Sequence, residues 1–102
     1  EPGTNPEELI AGAHAACFSM ALSAGLEREG TPPTSVETTA SVLFEKTEPG
    51  FRITRITLDC TAEVPGVDDA AFQQAAEAAK VGCPISNALA AVPEIVLNAR
   101  LK

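Results

Sequence analysis

The chain has 102 residues and a net charge of −7 with no lysine or arginine cluster, which argues against nucleic acid and against an anionic membrane surface as partners. Its 45% hydrophobic content suits a single globular domain spanning residues 1–102, and its four aromatic residues, all phenylalanine, are too few for a base-stacking platform. Three cysteines without CxxC or zinc spacing make neither a disulfide framework nor a metal site. In a reducing compartment such as the cytoplasm they are read as free or catalytic, and no cofactor is implied.

The chain opens at Glu1-Pro2-Gly3 without a methionine, which predicts sequence upstream. Asn5-Pro6-Glu7-Glu8 is a helix start: Asn5 caps, Pro6 suits the first turn, and Glu8 stands where a capping box needs its carboxylate. The helix should run to about Glu29 and stop at Gly30. Leu9, Ile10, Ala13, Ala16, Cys17, Met20, Ala21 and Ala24 form a broad stripe, with Phe18 and Leu22 adding apolar surface on other sides. His14, Ser19 and Ser23 interrupt it, and it is not read as membrane-spanning. Such a helix should be buried nearly all round, more than this short chain can cover alone, which predicts a homodimer.

Two alternating runs follow, Val36 to Lys46 and Phe51 to Val64, joined by Glu48-Pro49-Gly50, which suits a type II turn. They should form an antiparallel hairpin. Val36, Thr38, Ala40, Val42 and Phe44 share one face of the first strand, and Ile56, Leu58, Cys60, Ala62 and Val64 one face of the second. Asp68 caps a helix from Asp69 to about Lys80 with an inner face of Phe72, Ala75, Ala76 and Ala79, closed by Gly82. Cys83-Pro84 starts a short helix to about Ala91, and Glu94 to Leu101 is a last strand. The class is α+β, in the order αββααβ.

Cys83 has two readings. At a helix N-cap its sulfur faces unsatisfied N–H groups, a setting that stabilises a thiolate, or it merely fills space there. Cys17, mid-helix on the apolar stripe, is core packing unless a cation lies nearby. His14 stands three residues before Cys17 and seven after Glu7, so the three share a sector of the helix; it is either half of a Cys-His pair or a hydrogen-bonded core histidine. Cys60 alternates into the apolar face of its strand and is read as structural.

The run Gly3-Thr4-Asn5-Pro6-Glu7-Glu8-Leu9, then Ala13-His14-Ala15-Ala16-Cys17-Phe18-Ser19-Met20-Ala21, and later Gly82-Cys83-Pro84-Ile85-Ser86, resembles the OsmC/Ohr family. His14 places it nearer the OsmC branch. The resemblance extends along essentially the whole chain. It implies an OsmC-like fold, a long central helix against an antiparallel sheet in an intertwined dimer. It also implies reduction of organic hydroperoxides, and of hydrogen peroxide, with electrons from a dithiol, lipoyl-type donor. Cys17 would be the peroxidatic thiolate, Cys83 the resolving cysteine, and the apolar Phe18 and Met20 substrate contacts. Glu7 would hold an arginine facing Cys17, supplied in the family by an N-terminal β segment; Arg28, Arg52, Arg55 and Arg100 do not match its place. A redox-silent, stress-associated structural dimer of the same fold is the rival reading.

Overall fold

The Asn5 side chain accepts the Glu8 backbone N–H at 2.8 Å while the Glu8 carboxylate accepts the Asn5 N–H at 3.3 Å, so the capping box forms as the sequence predicts. In the computed structural model, which describes residues 5–48 and 50–102, helix α1 runs Pro6–Arg28. It ends in a Schellman motif: Thr31 N–H bonds to Leu26 C=O, Gly30 N–H to Glu27 C=O, and Gly30 takes a φ of 86°. Strands β1 (Ser35–Thr47) and β2 (Gly50–Glu63), helices α2 (Asp69–Gly82) and α3 (Pro84–Ala88), and strand β3 (Glu94–Leu101) complete the predicted order. Pro49 of the predicted type II turn, and Gly3 and Thr4 of the first motif, lie outside the described residues.

The hairpin register pairs the two predicted faces, Val36 with Ala62, Thr38 with Cys60, Ala40 with Leu58 and Val42 with Ile56. An extra residue in β2, Thr54, breaks that register between Leu43 and Phe44. Beyond it Phe44 and Phe51 stack with ring centroids 5.3 Å apart, and both stay exposed. The sheet is not purely antiparallel. β3 runs parallel to β2, pairing Ile56 with Ile95 and Leu58 with Leu97, in the sheet order β1-β2-β3. Two helices separate β2 from β3, and such a crossover carries the chain back to the end at which β2 began, where a short turn would reverse it.

Helix α2 is capped by Asp68 and buries Phe72, Ala76 and Ala79, as its spacing predicts. Gly82 does not close it from outside but is its last helical residue; Cys83 is the cap, its N–H on Ala79 C=O at 2.9 Å. Helix α3 stops at Ala88 rather than near Ala91. There the bonds tighten to Ala90 N–H on Asn87 C=O and Val92 N–H on Leu89 C=O, and Pro93 keeps Val92 from helical geometry.

Within one chain α1 is buried along one ridge only, His14, Phe18, Leu22 and Leu26 at four-residue spacing. The predicted stripe lies largely outside it: Leu9 is 63% and Met20 72% exposed. A helix apolar on every side has no sequence signal for its inward face. Phe18, Leu22 and Leu26 remove more apolar area from water than the alanines opposite, and they settle it. They pack with Ile56, Leu58, Cys60, Ala62 and Phe72 into the core. By length and composition α1 could cross a membrane, with mean hydropathy 1.6 over an 18-residue window, yet its buried ridge carries a histidine and rests on the sheet. A bond of 2.7 Å from Ser19 Oγ to Thr38 Oγ1 ties it to β1.

Leu22→Ala should lower stability by about 2–5 kcal/mol in urea unfolding, the cost of a cavity in a close-packed core. Val81→Ala, at a position 66% exposed, should change it by no more than about 0.5 kcal/mol.

Candidate active site

His14 and Cys17 are three residues apart on α1, and Cys83 and Ser86 are three apart at the start of α3, so each pair occupies one edge of one helical turn. The fold sets these turns against each other in opposite directions. His14 Nε2 meets Ser86 Oγ at 2.7 Å, and the Cys17 thiol hydrogen-bonds with Cys83. Two distant stretches of sequence thereby make one cluster of two thiols, a hydroxyl and an imidazole.

The two sulfurs differ in access and acidity. Cys83 is fully buried, whereas Cys17 retains part of its surface; both are free thiols. Burial pushes the Cys17 thiol up, its hydrogen bond to Cys83 pushes it further, and the Ile85 N–H offsets only part. For Cys83 burial also acts upward, but hydrogen bonds from Cys17, from the Ser86 backbone and hydroxyl, and from Ile85 outweigh it and bring the thiol below its ordinary value.

The helix-cap reading of Cys83 is altered in its cause. Cys83 occupies the N-cap position of α3 with the Ile85 and Ser86 backbone N–H groups at its sulfur, but α3 has five residues, too few for a strong dipole. The Cys17 thiol and the Ser86 hydroxyl add to what those N–H groups supply. Ser86 stands in the quoted motif without a role; its three-residue spacing from Cys83, matching that of His14 and Cys17, is the signal that finds it.

His14 does not form the Cys-His pair. Its Nε2 is committed to Ser86, its Nδ1 is buried without a partner among the described residues, and burial lowers its pKa, so the imidazole is neutral. Glu7 is half-buried near the start of α1, and no described arginine pairs with it; the ion pairs among the described residues are Arg55–Glu94 and Lys80–Glu77. Phe18 lies wholly in the core, and Met20 on the outer face of α1. Cys60 is fully buried, and burial raises its pKa, as befits a structural thiol. A concavity of about 740 Å³ runs between α1 and α2 past Gly25, Ala75 and Ala78, and neither Cys17 nor Cys83 lines it.

A family model described as OsmC-like protein matches residues 1–98. The peroxiredoxin OsmC of Escherichia coli is 53% identical over 102 residues, covering all of this chain and 70% of that protein. An organic hydroperoxide resistance protein of Xanthomonas axonopodis pv. citri is 37% identical over 87 residues, 84% of this chain and 59% of its own length. Among solved structures, the organic hydroperoxide resistance protein OhrB of Bacillus subtilis superposes with a TM-score of 0.75 at 29% identity, covering all of this chain and 73% of that one. An OsmC-like protein of Mycoplasma pneumoniae shares the fold at a TM-score of 0.87 and 17% identity, over 99% of this chain and 74% of that one.

His14 is the sole histidine, so its protonation can be read in stability. Below the ordinary value of 6.5 the unfolded chain takes up a proton that the buried imidazole refuses, and stability should fall as pH drops through that point. Urea midpoints measured from about pH 7.5 down to about pH 5, above most carboxylate titration, should show this slope, and His14→Phe should flatten it.

Proposed function

The chain belongs to the OsmC family, and from that premise we propose that it reduces organic hydroperoxides, and hydrogen peroxide, through a sulfenic acid on Cys17 that Cys83 resolves as a disulfide. Its chemistry is that of a thiol-based peroxidase. The observation that carries the reading is the pairing of a partly exposed thiol with a buried, more acidic one in direct contact. A redox-silent structural dimer has no use for that pairing.

Access supports the division of roles. A peroxide from solution meets the Cys17 sulfur, since the Cys83 sulfur is enclosed. The Cys17 thiolate attacks one peroxide oxygen; an S–O bond forms, the O–O bond breaks, and the alcohol, or water, leaves with a proton. Cys17 is then a sulfenic acid. The Cys83 thiolate attacks that sulfur, an S–S bond forms and the S–O bond breaks. The departing hydroxide recovers as water the proton that Cys83 had released. A dithiol donor of lipoyl type returns the pair to thiols by exchange.

Within the described residues burial and Cys83 push the Cys17 thiol up, so its activation calls for a cation. We assign Glu7 the role of anchoring that cation, an arginine, beside Cys17. Met20, one helical turn from Cys17 and exposed, offers apolar contact to the organic group of the peroxide; Phe18 contributes by fixing this turn of α1 to the core. The exposed face of α1 around Leu9 and Met20 is the surface that a second copy would cover in a homodimer. A reducing compartment, the cytoplasm, would keep Cys60 free and the catalytic pair reducible.

Peroxide consumption with cumene hydroperoxide and dihydrolipoamide tests the reading. Cys17→Ser should reduce the rate to that of the uncatalysed mixture, and Cys83→Ser should stop after about one equivalent; full turnover in both variants would refute the mechanism. Met20→Glu should shift sedimentation equilibrium from dimer to monomer, because it places a charge in the covered face.

A further inference from the structure

The contact of His14 with Ser86 takes no part in the chemistry above, and the apolar core around it does not require it. A histidine with none of its surface exposed is costly, and here its ring makes one hydrogen bond among the described residues, to a hydroxyl that itself bonds the resolving sulfur. We propose that His14 is a positioning residue for the resolving half of the reaction: donating from Nε2 to Ser86 Oγ, it turns the Ser86 hydroxyl hydrogen toward the Cys83 sulfur. This rests on the peroxidase reading for its purpose, though not for its geometry.

The tautomer follows from the unpartnered nitrogen. A buried N–H without an acceptor is rarer in proteins than a buried lone pair without a donor. Since Nδ1 has no partner among the described residues, the neutral ring carries its hydrogen on Nε2, 2.7 Å from Ser86 Oγ. Ser86 Oγ then accepts from His14, and its single hydrogen is left to donate elsewhere. The Cys83 sulfur is its partner. With the opposite tautomer Ser86 would donate to His14 and present only lone pairs to a thiolate, which repels it.

Among the described residues no charged side chain governs the ring. Glu7 and Cys17 share its sector of α1 and Cys83 lies at the entry to α3, yet burial alone accounts for its lowered pKa. The imidazole therefore stays neutral and keeps its donor on Nε2 at neutral pH. A hydrogen bond to an ionised sulfur is stronger than one to a thiol, so the aligned Ser86 hydroxyl favours the thiolate that must attack the Cys17 sulfenic acid. His14 thus serves Cys83 through Ser86, although in sequence it stands beside Cys17.

The test is an ultraviolet thiolate titration of Cys83 in the full chain carrying Cys17→Ser and Cys60→Ala, which leaves Cys83 as the sole thiol. Ser86→Ala and His14→Phe should each raise the midpoint by about one pH unit, about tenfold less thiolate at a fixed pH below it. Ser86→Thr and His14→Gln, which restore a hydroxyl and a side-chain N–H donor, should bring the midpoint back toward its starting value. An unmoved midpoint in Ser86→Ala overturns the proposal, as does a His14→Gln midpoint equal to that of His14→Phe in folded protein. If His14→Phe fails to fold by circular dichroism, Ser86→Ala against Ser86→Thr decides. No peroxide enters the titration, and peroxide consumption is measured separately on the chain with all three cysteines. If that chain consumes no peroxide while the midpoints move as expected, the peroxidase reading alone is refuted; if it consumes peroxide while the midpoints stay unmoved, the role of His14 alone is refuted.

Discussion

One turn of α1 lies against the first turn of α3, and the two cross-contacts this creates, His14 with Ser86 and Cys17 with Cys83, organise the remainder of the molecule. Each contact joins groups that the other helps to hold. The 2.7 Å bond inside the core fixes the rotation of α1 about its axis and the height of α3 along it, and that register brings the thiols together. The sheet serves the same alignment. β1 and β2 carry α1 across their apolar face, while the crossover through α2 and α3 returns the chain to pair β3 with β2 and leaves α3 beside α1.

The distribution of burial between the sulfurs explains why two cysteines are needed where one could attack. The accessible thiol, Cys17, is held up by its surroundings, and the acidic one, Cys83, is enclosed. In the proposed cycle an oxidant reaches the first, and the second lies beside it as the more acidic thiol. A sulfenic acid formed at Cys17 therefore has its reducing partner in contact from the outset, which limits its exposure to a second peroxide. Cys60, buried in β2 and pushed up by the same lack of water, takes no part, and its hydrogen bond with Thr38 belongs to the core.

Local chemistry was the most legible part of the sequence. Asn5 with Glu8, Asp68, and Gly30 at positive φ act within a few residues of themselves, and the structure forms all three caps. The apolar faces of the hairpin followed from period-two alternation in Val36 to Val42 and Ile56 to Ala62, and the structure pairs those faces. Less legible was what depends on distant packing. The direction of β3 is decided by the path of two helices and not by its own residues. Which side of α1 turns toward its own sheet was not legible, because alanine, methionine and leucine occur all round it, and only the area removed from water distinguishes Phe18 and Leu22 from Met20. The link of His14 to Ser86 joins residues far apart in the chain, and local spacing pointed instead to Cys17. The two cysteines of the proposed site were legible as two motifs in order, and far less so from the physics of either cysteine alone.

Peptide mapping by mass spectrometry after one equivalent of organic hydroperoxide, with the thiols blocked at quench, tests the central claim most directly. A single disulfide joining the peptides of Cys17 and Cys83, with Cys60 alkylated as a free thiol, is the predicted product. Cys17 carried to sulfinic acid while Cys83 stays free, or a disulfide that includes Cys60, would contradict the account.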